Sequence, residues 1–142
     1  SVELAGAGGA AWQVLIGKSA EDNDRLSLQE GKPHEAWMHA AGVPGSHAVL
    51  RKLVREGEGG EAARPPADVL RTAAGLCAFY SKAKSQPLVE VHVTTCGKVS
   101  KLPFAPAGQV LLLGGWETLK VRPLDPAALR GEVKTGAAKR RR

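Results

Sequence analysis

Two histidines flank a short turn about a third of the way along the sequence, and an arginine follows the second. His39 precedes the tripeptide Pro44-Gly45-Ser46, and His47 and Arg51 come after it. Proline presets φ at about −65° and glycine accepts positive φ, so the tripeptide predicts a tight turn. Imidazole and guanidinium groups can donate hydrogen bonds to phosphate or hydroxyl oxygens. The segment is therefore a candidate ligand-facing corner, or a turn whose serine and histidine only satisfy backbone groups.

Four later lysines could extend such a site electrostatically, or could simply form a solvated face. They are Lys82, Lys84, Lys98 and Lys101. The tryptophans Trp12, Trp37 and Trp116 offer stacking surface, although aromatic residues on strands more often pack in the core.

Other chemistry-bearing residues form no recognisable catalytic or metal-binding pattern. The four histidines lie in separate segments, and neither cysteine has a second one at the short spacing of zinc sites. No Ser/His/Asp order and no paired carboxylates stand out. We expect no metal, no cofactor and no enzymatic activity.

The two cysteines differ in their surroundings. Cys77 falls on the apolar stripe of a predicted helix, which places it in the core. Cys96 precedes Gly97 and Lys98 in a polar turn, which predicts an exposed thiol and leaves a redox-responsive module as an alternative function. So few cysteines favour a reducing compartment.

Length and composition indicate one soluble domain with a basic tail. The chain has 142 residues, 43% of them hydrophobic, and its apolar runs are too short for a membrane helix. Its net charge is +6. Residues 130–142 hold six basic residues and one acidic residue and so carry +5, which leaves +1 for residues 1–129. Because the chain begins with Ser1, we expect a processed product or a fragment.

Hydrophobic patterning predicts an α+β domain with a largely antiparallel sheet or partial barrel packed with one long helix. The helix begins after Pro65 and Pro66 and runs over about 67–84. We expect a loop over 18–25, a mobile acidic loop over 56–64 and a hairpin that pairs 109–113 with 118–121. The predicted organisation is a flexible N-terminal segment over 1–11, a domain over 12–126 and a disordered basic tail over 127–142. The remaining predicted strands are 12–16, 26–28, 36–40, 47–54 and 88–94.

A set of short motifs follows in order over residues 12–123. They are Gly17 with Asn23 and Asp24, Trp37-Met38-His39-Ala40, Pro44-Gly45-Ser46-His47 running on to Arg51, Ala73-Ala74, Tyr80-Ser81-Lys82-Ala83, and Val99, Lys101, Pro103, Gly108, Gln109 and Val110. In this order they resemble the NFACT-R domain. Ser100 stands where that family leads us to expect another basic residue, and Val93 replaces an expected tyrosine.

The resemblance implies an RNA-binding module of a ribosome quality control factor, acting in translation on obstructed large ribosomal subunits. It implies RNA partners, ribosomal or transfer RNA, recognised by shape and backbone. We expect a monomeric domain that is intracellular, in the cytoplasm or an organelle such as the chloroplast. The predicted RNA-binding residues are His39, His47, Arg51, Lys82, Lys84, Lys98 and Lys101, with Pro44, Gly45 and Ser46 as the motif turn. A protein-docking domain within a larger factor is the other alternative function.

Overall fold

A six-stranded antiparallel sheet forms the centre of the fold. The computed structural model describes residues 1–6, 10–53 and 64–129. The sheet strands are β1 (Val2–Ala5), β2 (Ala11–Ile16), β3 (Ala36–Ala40), β4 (Ala48–Leu53), β5 (Val89–Thr95) and β8 (Glu117–Val121), with β6 (Val99–Ser100) and β7 (Leu111–Leu112) as a separate pair. The strand order in the sheet is β1-β2-β4-β3-β5-β8. The predicted α+β class with a largely antiparallel sheet is confirmed. Because the sheet is open, the partial barrel that was the alternative prediction is not observed.

One face of the sheet carries the main core because helix α2 (Ala67–Phe79) packs across it. Side chains alternate between the faces of a strand, so Met38, Leu50 and Val91 point toward the helix. On the helix, Leu76 and Cys77 are fully buried against them, which confirms the predicted core position of Cys77. No helix in the described ranges is long and apolar enough to cross a membrane.

Helix α2 ends five residues before the predicted end at Lys84, at Phe79. Ser81 Oγ donates to the Ala78 carbonyl at 2.7 Å and accepts from the Ala83 amide at 3.1 Å. The Lys82 amide donates to the Pro44 carbonyl at 2.9 Å instead of continuing the helical ladder. A serine side chain and a tertiary contact therefore divert the backbone where the sequence pattern predicted more helix.

The second face is covered at one end by helix α1 (Ala20–Arg25), a wider helical turn over Leu26–Glu30 and the β6-β7 pair. A small apolar cluster holds them to the sheet: Leu26, Trp37, Val49, Cys96 and Val99. The predicted loop over 18–25 and strand over 26–28 are wrong. Ser19 caps α1 by accepting from the Asp22 amide at 3.0 Å, a capping signal visible in the sequence.

Three further predictions differ from the structure or lie outside it. Residues 2–5 pair with β2 as β1, within the segment predicted as a flexible start. The predicted hairpin is wrong, because β7 pairs with β6 and β8 with β5. Most of the loop over 56–64, and residues 130–142 of the predicted tail, lie outside the described residues, while 126–129 form a helical turn.

Candidate nucleic-acid interface

Three histidines from neighbouring strands form a row on the second face of the sheet. His39 on β3 pairs directly with His92 on β5. His47 immediately precedes β4, and its ring centroid lies 5.1 Å from that of His39 in an edge-to-face arrangement. We call His47, His39 and His92 the histidine row. The prediction that the turn brings His39 and His47 together is correct, whereas His92 was not among the predicted binding residues.

His47 is the structural member of the row. It is 2% exposed, and its Nδ1 lies 2.8 Å from Ser27 Oγ, which accepts from Trp37 Nε1 at 2.7 Å. Because an indole can only donate, Ser27 Oγ accepts from Trp37 and keeps its own hydrogen for a bond to Nδ1 of His47. Burial, together with the neighbouring His39, lowers the pKa of His47 to about 4. His47 is therefore a neutral, hydrogen-bonded side chain away from solvent.

Two smaller motif residues enclose the backbone of His47. The Gly17 amide donates to the His47 carbonyl at 3.0 Å, and the His47 amide donates to Asn23 Oδ1 at 3.1 Å. A Cβ on Gly17 would lie 1.8 Å from Asn23 Oδ1, so only glycine fits there. Asn23 was recognised as part of the motif, and the structure gives it this positioning role.

The motif turn lies against the segment that follows helix α2. The Ser46 amide donates to the Tyr80 carbonyl at 3.0 Å, and Gly45 forms an isolated β-bridge with Ser81. Together with the bond from Lys82 to Pro44, these contacts join two motifs far apart in the sequence. The turn is thus held in place by the end of the helix, with Pro44 exposed and Gly45 partly exposed at its outer side.

Arg51 does not join the histidines. It lies on β4, where Nε and Nη2 donate to the Glu35 carboxylate at 2.7 and 2.9 Å, and Nη2 also donates to the Glu30 carbonyl. The Glu35 side chain is only 5% exposed. Hydrogen bonds from Arg51 and the Lys32 amide hold the pKa of Glu35 below its usual range despite burial. The structure thus shows the Arg51 guanidinium paired with Glu35 and not with His39 or His47, and its contact with RNA stays a prediction.

Lys101 is also engaged within the domain. Its Nζ forms an ion pair with Asp24 at 2.9 Å and donates to the carbonyls of Pro106 and Gln109. Asp24 in turn accepts from the Gly108 amide at 3.1 Å. Lys101 and Asp24 therefore fix residues 106–109 beside α1.

The other three predicted lysines are exposed but do not form one patch. Lys82 follows α2 beside Pro44, and Lys84 lies 5.4 Å from the Phe79 ring centroid in a cation-π contact. Lys98 lies beyond the other end of β3, where the neighbouring Gly97 amide donates to the Pro33 carbonyl. The positive charges thus lie at opposite ends of the strand that carries His39.

Between these ends, a cavity of about 630 Å³ opens beside the histidine row. It is lined by His39 and His92, the turn residues Pro44 and Gly45, and the segment 106–110. Burial lowers the pKa of His39, which also has a hydrogen bond with the Gly45 backbone. The cavity wall therefore presents a neutral imidazole and backbone groups, which can exchange hydrogen bonds with a hydroxyl or an uncharged base edge.

The three tryptophans have different environments. Trp12 and Trp37 are buried, as expected of aromatic residues on strands, whereas Trp116 is 49% exposed. Its ring centroid lies 5.2 Å from that of His92, with a 45° tilt. The structure therefore leaves one tryptophan available for contact with a ligand.

The prediction of an exposed thiol at Cys96 is wrong. Cys96 is 5% exposed and packs in the apolar cluster with Trp37 and Val99. Burial raises the pKa of its thiol to about 12, so little reactive thiolate forms at neutral pH. Within the described ranges, no group of three His, Cys, Asp or Glu side chains could hold a metal ion.

Comparison with known proteins agrees with the motif resemblance. The family described as the NFACT protein RNA binding domain matches residues 9–115. The chain is 34% identical over 113 residues to the Rqc2 homolog RqcH of Streptococcus suis (strain 05ZYH33), covering 79% of the chain and 18% of that relative. It is 30% identical over 97 residues to the Rqc2 homolog RqcH of Bacillus subtilis (strain 168), covering 68% and 15%.

A solved structure is similar as well. The C-terminal part of the fibronectin/fibrinogen-binding protein from Streptococcus suis superposes with a TM-score of 0.70 at 32% identity, covering 87% of this chain and 45% of that one. The chain spans less than a fifth of the length of the curated relatives named above. Since the family match covers most of the chain and includes the motifs that meet around His47, the chain belongs to the family of NFACT protein RNA-binding domains.

Proposed function

We propose that the chain is the RNA-binding module of a ribosome-associated quality control factor and that it binds ribosomal or transfer RNA by shape and backbone. The family match carries the RNA-binding part, and the names of the similar RqcH proteins support the quality control part. The large ribosomal subunit is the proposed assembly partner. The module acts as a monomer inside the cell, in the cytoplasm or an organelle.

The proposed RNA surface runs across the second face of the sheet, from Lys82 and Lys84 at one end of β3 to Lys98 at the other. Strand β3 has five residues and spans about 17 Å, so the surface can follow several nucleotides. Exposed lysines at both ends can contact phosphates, which position an RNA without reading its sequence. Neutral His39 between them suits a ribose hydroxyl better than a phosphate.

The proposed activity is binding rather than catalysis. Both thiols are buried, and the pKa of each is raised to about 12, which argues against a cysteine nucleophile. His47 bonds a serine that is itself buried and that also accepts from Trp37. That serine supports the fold and is not poised to attack a substrate.

Charge-reversal variants test whether RNA binds at this surface or is attracted only by the positive charge of the chain. In the full chain, we expect Lys82→Glu and Lys98→Glu each to weaken binding to a structured RNA severalfold at fixed salt concentration. Arg71→Glu is the charge-matched control, because Arg71 lies on α2, which packs on the opposite face, and makes one exposed bond to the Lys120 carbonyl. Equal titrations of all three variants would place the RNA elsewhere.

Protein docking is a second candidate function, supported by exposed apolar side chains around β6 and β7. Phe104 is 98% exposed, with Leu102 and Leu113 nearby in sequence and also exposed. Docking through this patch predicts that Phe104→Ser leaves RNA titrations unchanged but weakens co-sedimentation with large ribosomal subunits. Unchanged co-sedimentation would remove the support for this role.

A further inference from the structure

Trp116 lies where the chain enters β8, and local contacts fix its position. The backbone turns at Gly114, whose φ is +72°, and the Gly115 carbonyl accepts from Thr94 Oγ1 at 3.5 Å. The register of β5 and β8 pairs His92 with Thr118, so Trp116 stands beside His92 at the edge of the histidine row. The ring is therefore held at a defined place on the sheet although half of its surface is exposed.

The exposed ring borders a second cavity, of about 590 Å³, which includes Lys98 of the proposed RNA surface and extends around the sheet edge to Leu70 of α2. This volume falls in the range of small-molecule sites, which is about 300–1,000 Å³. Lys98 and the ion pair between Arg64 and Glu117 line the same cavity. Within the described residues, Lys98 has no salt-bridge partner, so the wall beside the ring carries a net positive charge.

A flat aromatic face beside an uncompensated cation suits one part of RNA in particular. An unpaired base can stack on the tryptophan while its phosphate contacts the lysine, whereas the bases of a duplex are already stacked on each other. An apolar protein side chain would use the ring but not the cation. The combination therefore favours a nucleotide over a protein contact.

We propose that Trp116 is a stacking platform for one unpaired nucleobase of the bound RNA, with Lys98 contacting its phosphate. This inference rests on the proposed RNA-binding function and adds the structural class of the target. The RNA contains a loop, bulge or single-stranded end at this point. Stacking tolerates any base, so recognition here depends on an accessible base and not on sequence.

The test compares two forms of one RNA hairpin on the full 142-residue chain. The forms differ only in one loop nucleotide, which is either intact or abasic. We expect Trp116→Ala to weaken binding of the intact hairpin by about tenfold and to leave binding of the abasic hairpin nearly unchanged. Trp116→Phe keeps an aromatic face and should retain most of the affinity.

Phe104→Ala is the matched control, because Phe104 is the more exposed aromatic residue but does not line the cavity. If Trp116→Ala and Phe104→Ala both bind the intact hairpin as the parent does, the stacking platform is refuted, although RNA binding by the chain is not. The exposed Trp116 ring is then assigned to a protein contact. If the parent chain binds neither hairpin, the proposed function itself fails. Circular dichroism of each variant shows whether the fold is kept.

Discussion

At the scale of single residues, most of the polar side chains in the family motifs support the fold rather than face a ligand. His47, Ser27 and Trp37 satisfy one another in the interior, and Asp24 holds Lys101. A buried polar group without a partner costs about 1–3 kcal/mol, so such networks are sensitive to the loss of any member. The proposed RNA contact therefore depends on the side chains that are at least partly exposed, namely His39, Trp116, Lys82, Lys84 and Lys98.

The ion pair between Arg51 and Glu35 gives the first prediction. Arg51→Ala leaves the nearly buried Glu35 carboxylate without its main partner, so we expect a loss of about 1–3 kcal/mol of unfolding free energy. Removing both charges with Glu35→Ala and Arg51→Ala should cost less than the sum of the single changes. Urea unfolding of the four proteins measures this coupling. Additive effects would show that the pair contributes nothing.

The low pKa of His47 gives a prediction for pH dependence. The ring has a pKa of about 4 in the fold, against an ordinary histidine pKa of 6.5 in the unfolded chain. Its contribution to stability is therefore complete above pH 6.5 and is lost as the pH falls toward 4, by at most about 1.4 kcal/mol per pH unit. The lowered pKa of His39 acts in the same direction.

Urea unfolding midpoints at about pH 7 and about pH 5, on either side of the usual histidine pKa, measure this slope. His47→Gln keeps a hydrogen-bonding side chain but removes the titration. The variant can be less stable at every pH, yet its stability should change less between the two conditions. If the stability of variant and parent changes equally between the two pH values, the pKa of His47 is the same in the folded and the unfolded chain.

At the scale of elements, the contact between the motif turn and the end of α2 determines where the histidine row stands. A Cβ on Gly45 would lie 2.7 Å from Ser81 Cβ and 2.9 Å from Ser81 Cα. Because the second of these is a backbone atom, a rotamer change cannot relieve the clash. We expect Gly45→Ala to destabilise the domain by about 1–3 kcal/mol and to weaken RNA binding by displacing the turn.

Gly115→Ala is the control for the stability change only, since a Cβ there meets nothing within 4 Å. Thermal melts of both variants make that comparison, and RNA titrations of Gly45→Ala and the parent test the binding. If Gly45→Ala melts with the parent and binds RNA equally well, the turn is not held by this contact.

The elements that could be predicted from sequence are those with a local signal. Hydrophobic patterning predicted β3 at its observed bounds, and the stripe containing Leu76 predicted α2 and its start. Strand β8 was recognised, but its partner was not, because the choice between β7 and β5 depends on contacts distant in sequence. The ion pair of Arg51 could not be predicted for the same reason, since Glu35 lies 16 residues away and is reached only after the sheet forms.

At the scale of the whole molecule, the charge is divided unevenly between the domain and its C-terminal residues. Residues 130–142 carry six of the 20 basic residues, and without them the net charge falls from +6 to +1. Such a segment can attract any polyanion through counterion release, whether or not the domain contacts RNA. RNA binding by residues 130–142 and RNA binding by the domain should differ in their dependence on salt concentration and on RNA structure.

We expect deletion of residues 130–142 to weaken RNA binding and to reduce the slope of log affinity against log salt by up to about 4, because each lost phosphate contact removes about 0.7 from the slope for single strands. Binding by the folded part should persist, and it should still distinguish the intact hairpin from the abasic one, since Trp116 and Lys98 are retained. Titrations at several salt concentrations, with melts to verify folding, make the measurement. If the truncated chain is folded but binds no RNA, the deleted residues make all of the RNA contacts and the domain makes none.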